Sequence, residues 1–148
     1  MTSVSYLAEA GSYNAVTIEP FQGVCGLNLF LNKKDDYDVK KNLENCLHFC
    51  RVFDNIENQD EALKLDVMIY FGLKKLFDDA EEEDRTQWKI RIDFVSKTIT
   101  LVLASIDNPE KKKDIKLPDL RKSINILLEL RNLAERTLSK PDEKVFYG

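Results

Sequence analysis

The stretch Leu63 to Phe77, LKLDVMIYFGLKKLF, constrains the fold of this 148-residue chain more than any other. Its unbroken apolar run, Val67-Met68-Ile69-Tyr70-Phe71-Gly72-Leu73, is flanked by Leu63, Leu65, Leu76 and Phe77. At about 100° per residue these side chains spread round almost the whole circumference of a helix. A helix apolar nearly all round is a buried one. The run is also charge-flanked and shorter than the ~20 residues a bilayer crossing needs. The stretch is therefore expected to be a central core helix that the other segments wrap. Gly72 within it costs about 1 kcal/mol against alanine, which a closely packed neighbour such as a Leu43/Cys46/Cys50 stripe would explain.

Two further segments carry helical periodicity. From Asp38, a stripe of Val39, Leu43, Cys46, Leu47, Cys50 and Phe53 stands opposite Lys40, Lys41, Glu44, His48 and Arg51, the pattern of an amphipathic helix. Asn58 with Glu61 has the capping-box spacing that would open the central helix. Pro118 starts the last helix and Lys140-Pro141 ends it. Between them Leu120, Ile124, Ile126, Leu127, Leu128, Leu130, Leu133, Ala134 and Leu138 cover an arc of roughly 220°. A helix on the surface of a monomer usually buries a narrower stripe, so this helix has apolar surface to spare.

Residues 85–106 fit two periods. As a helix, they put Trp88, Ile92, Val95, Ile99, Val102, Leu103 and Ile106 in one stripe, with Ile90, Phe94 and Leu101 in a second on the far side. As a β-hairpin, Trp88 to Phe94 alternates cleanly and the rest is rich in β-branched residues. The hairpin would have to turn at Val95-Ser96-Lys97 with no Gly, Asn or Pro. One long helix is therefore preferred, stopped by Asp107-Asn108-Pro109, its second stripe covered by another element or another subunit.

The N-terminus reads differently. Residues 1–14 form an arm, while Ala15–Ile18 and Val24–Leu31 are strand candidates that Pro20-Phe21-Gln22-Gly23 could join. The expected fold class is mainly α: one four-helix bundle-like domain over residues 15–140, with an N-terminal β-hairpin or extended arm and a C-terminal tail over 141–148. If residues 85–106 were a hairpin, the class would be α+β.

Composition narrows the function classes. A net charge of −4 argues mildly against a protein whose main partner is a polyanion. Met1 to Gly11 lacks the basic start and apolar run of a signal peptide. Cys25, Cys46 and Cys50 make an odd number in a chain large enough not to need staples, which points to free thiols and a cytoplasmic location. Lysine outnumbers arginine 16 to 6; that bias is common in AT-rich genomes, bacteriophages among them, and would place a phage or viral protein in the host cytoplasm. It carries no mechanism.

No catalytic or metal motif emerges. Cys46-Leu-His48-Phe-Cys50 places the two thiols on one face of a helix and His48 about 180° away, which does not make a tetrahedral site. His48 is the sole histidine and no nucleophile-elbow sequence accompanies it. The acidic run Asp78 to Asp84 is expected to be solvated and not tuned for acid–base work. No enzyme activity, cofactor or metal is expected.

Two interaction surfaces remain. The surplus arc of the last helix points to a non-enzymatic protein–protein interaction module (an assembly, scaffold or regulatory subunit). Its expected surface is Ile126, Leu130, Leu133 and Arg136, with Phe146 and Tyr147 as a secondary dock, and its partner a second copy or another protein. The alternative is a nucleic-acid-associated accessory protein using Lys111, Lys112, Lys113, Lys116, Arg121 and Lys122. Interspersed Asp114, Asp119 and Glu129 weigh against it. No membrane association is expected.

Overall fold

The computed structural model describes residues 26–32, 35–54 and 67–139. Every regular element among them is helical. A short helical segment over residues 26–31 precedes α1 (Asp36–Asp54), α2 (Val67–Asp79), α3 (Glu82–Asp107), a 3-10 helix (Pro109–Asp114) and α4 (Leu117–Ser139). The mainly α, bundle-like class expected from the sequence holds.

α1 begins where Asp35 accepts the Tyr37 backbone N–H at 2.9 Å, and Asp36 and Asp38 place negative charge at the positive end of the helix dipole. Its whole expected stripe is buried, widened by Phe49 and Val52. α3 starts on Glu82, Glu83 and Asp84, so the acidic run serves as a favourable first turn. Arg85 donates to the Ala80 carbonyl at 2.9 Å, holding the short α2–α3 connection. At the other end, the Asn108 backbone N–H bonds the Ala104 carbonyl, and its side chain accepts from the Glu110 N–H at 3.3 Å.

α1 packs along α3, α2 along α4, and α3 and α4 join the two pairs. Lys40 at the start of α1 pairs with Asp107 at the end of α3 (3.3 Å), so these helices run antiparallel. Arg91 pairs with Glu129 and Lys122 lies 4.3 Å over the Phe94 ring, so α3 and α4 are antiparallel too. Ile92, Val95, Ile99 and Val102 of α3 are buried in the core.

The long helix preferred over 85–106 is observed, and the hairpin alternative is not. Two expectations change. Val24–Leu31, expected as a strand, is helical over residues 26–31. Leu27, Phe30 and Leu31 also satisfy the i, i+3, i+4 spacing, and the segment takes that helical period with Leu27 buried. A β-carbon on Gly26 would lie 2.9 Å from Asn42 Cβ, so this segment sits tightly on α1. Finally, α3 rather than α2 holds the middle. α2 lies along α4 with Phe71 exposed, and Gly72 meets Leu138 of α4 instead of the Cys46 stripe: its β-carbon would stand 2.6 Å from Leu138 Cδ2. The arm, the strand candidate Ala15–Ile18, the Asn58 cap and the tail lie outside the described residues.

Candidate functional site

Apart from Phe146 and Tyr147, the surface residues proposed from sequence lie among the described residues. Ile126 and Leu130 of α4 are enclosed in the chain's own core, Leu130 at 0% exposure. They correct the expectation of an outward-facing patch. α4 touches both α2 and α3, and two neighbours consume an arc that one neighbour could not. Leu120, Ile124, Leu127 and Ala134 are buried with them. Leu133 is half-buried and Arg136 exposed. Phe146 and Tyr147 lie outside the described residues.

Leu133 lines a cleft of about 280 Å³ where the ends of α1 and α2 meet the start of α3. Phe53, Phe77 and Trp88 form its apolar wall, with Asp79 and Asp84 also on the lining. Phe53 and Phe77 pack edge to face at 5.7 Å, and Arg91 stacks 4.3 Å over the Trp88 ring. The cleft is shaped by ring packing and lacks a nucleophile beside a base.

The two described thiols are internal. Cys46 and Cys50 are buried and unbridged. The Cys50 thiol beside it, with complete burial added, pushes the Cys46 thiol well above its ordinary range. A thiol held protonated is neither a nucleophile nor a ready metal ligand. His48 is half-buried rather than solvent-facing. Among the described residues no three His, Cys, Asp or Glu side chains gather into a metal-sized group, and no helix is long and apolar enough to cross a membrane.

The basic residues Lys111, Lys112, Lys113, Lys116, Arg121 and Lys122 are all exposed, along the 3-10 helix and the first turns of α4. Exposed Glu110 and Asp114 lie among them, so the positive charge is broken up. Lys112 sits 5.8 Å over the Phe30 ring and Lys122 over Phe94. These aromatic partners are remote in sequence, and the local pattern held no sign of them.

The outer face of α3 is the unexplained feature. Ile90 is 64% exposed and Leu101 42% exposed, with half-buried Phe94 between them. At about 100° per residue the three fall within roughly 40° of one another, along about 16 Å of helix. An exposed ion pair, Asp93–Lys97 at 3.3 Å, runs beside the stripe. This is the second stripe that the helical period over 85–106 displays, and among the described residues its two ends, Ile90 and Leu101, stay exposed. Leu117 at the start of α4 is also exposed. Comparison with protein-family models, with curated proteins and with solved structures finds no match to this chain.

Proposed function

We propose that this chain is a non-enzymatic helical interaction module, an assembly, scaffold or regulatory subunit, that receives a protein partner on the outer face of α3. The observation that carries it is the stripe Ile90, Phe94 and Leu101, in which Ile90 and Leu101 are exposed on either side of half-buried Phe94, on a helix whose opposite face is buried in the core. Single exposed apolar residues are ordinary, whereas an aligned set rimmed by charge is the form of a docking surface. The free thiols of Cys46 and Cys50 support a reducing, cytoplasmic setting.

The test is a photo-crosslinking amino acid placed at position 90 or 101, with position 51 on the exposed side of α1 as control. In the cell that makes the protein, positions 90 and 101 should yield an adduct with a polypeptide and position 51 none. No adduct from either α3 position would remove this reading. A nucleic-acid role for the six exposed basic residues is the second reading. It requires an affinity that falls steeply with salt and that Lys112→Glu weakens; salt-insensitive or absent binding excludes it.

A further inference from the structure

The stripe on α3 has a symmetry of its own. Ile90 and Leu101 are centred midway between residues 95 and 96, and Asp93 and Lys97 are centred on residue 95. The apolar pair and the charged pair thus share one midpoint to within about 1 Å of helix rise. A helix running antiparallel across this face, about a two-fold axis through that midpoint, meets its own complement. Ile90 would lie opposite Leu101 of the other copy and Leu101 opposite its Ile90. Asp93 would face Lys97 and Lys97 would face Asp93. In such an isologous contact the same flank of both helices comes together, so the flank carrying Asp93 and Lys97 would meet the identical flank.

We infer that the occupant of this surface is a second copy of the chain, docked antiparallel through α3. The inference rests on the interaction reading above and names its partner. A different protein would need to bring an acid and a base at matching spacing, whereas a second copy brings them by construction. The exposed Asp93–Lys97 pair, 3.3 Å apart within one helix, then exchanges partners between copies. On the opposite flank the two Lys122 side chains, each over its own Phe94, approach one another and oppose the contact. A single-helix face about 16 Å long also buries less than the ~800 Å² per partner of stable complexes. The dimer is accordingly concentration-dependent.

Sedimentation of the full chain over a concentration series tests this, with circular dichroism to confirm that each surface variant stays folded. Wild type should pass from monomer to dimer. Asp93→Lys and Lys97→Asp should each weaken association about tenfold, because two attractions become two repulsions. Mixing the two single variants should restore dimer beyond either alone, since each then supplies the charge the other lacks. The double variant D93K/K97D should also recover it. A wild type that stays monomeric, single variants that match wild type, or a mixture that stays monomeric would each overturn the inference. Crosslinks from position 101 separate this failure from that of the parent reading. An adduct with a different polypeptide keeps the interaction module and removes the second copy, and no adduct removes both.

Discussion

α4 and α3 both carry more apolar surface than one helix neighbour can cover, and they dispose of it in opposite ways. The arc of α4, roughly 220° wide, disappears into the chain because α2 and α3 flank it from two sides. The second stripe of α3 is far narrower, yet Ile90 and Leu101 remain in solvent. Width of the apolar arc is therefore a poor guide to what is left over. The number of neighbours a helix acquires decides it, and α3 spends its neighbours, α1 and α4, on the other face.

The sharpest way to break this contrast is to truncate one leucine on each helix. Leu130→Ala should cost about 2–5 kcal/mol, since it leaves a cavity under a fully buried side chain. Leu101→Ala should leave monomer stability within about 0.5 kcal/mol. Urea denaturation of both measures it, and equal losses would mean that the stripe on α3 is covered after all. Next comes the claim that α2 is what shields α4. Gly72→Leu must displace Leu138, whose Cδ2 a β-carbon already approaches to 2.6 Å, and overpacking of this kind typically costs 1–3 kcal/mol, so about that loss is expected in the same assay. Gly72→Ala brings a β-carbon to 2.6 Å from Leu138 Cδ2 and 2.7 Å from its Cγ, so Leu138 must shift, and the helix-propensity gain against that shift should leave a net change of less than about 1 kcal/mol.

Ser123 refines the picture of α4. It is fully buried and its Oγ has no hydrogen-bond partner among the described residues. Ser123→Ala removes a desolvated hydroxyl and improves helix propensity, so a gain of about 1 kcal/mol in the thermal or urea transition is expected. A loss would reveal a partner for the hydroxyl. The smallest effect concerns the seam between α3 and α4. The Arg91 guanidinium hydrogen-bonded to Glu129 lowers that carboxyl below its ordinary range, against the opposing effect of burial. A carboxyl lowered in the folded state contributes stability above its unfolded pKa and loses it as pH falls through the folded value. Glu129 is half exposed, so Glu129→Gln should cost under about 1 kcal/mol at neutral pH. That difference should shrink as pH falls below the ordinary glutamate range and vanish once it passes the lowered folded value, as stability measured at neutral and acid pH would show.

Much of the helical content was legible in sequence because it depends on short spacings. The α1 stripe from Val39 to Phe53 is buried as its period requires, and residues 85–106 are helical for want of a turn at Val95-Ser96-Lys97. Asn108-Pro109 and Pro118 mark the boundaries they were expected to mark. The short apolar run at 26–31 satisfied two periods at once, and only its seat on α1 chose between them. The stripe Ile90, Phe94 and Leu101 was visible as a pattern. Its exposure was not, for exposure is a property of the surroundings.

The chain by itself determined where helices form and which faces of them are apolar, since both follow from side-chain chemistry at the repeat of a single helix. Only the tertiary structure decided which helix takes the middle and which apolar face stays wet. Those outcomes depend on how many neighbours each helix meets, and elements far apart in sequence supply those neighbours.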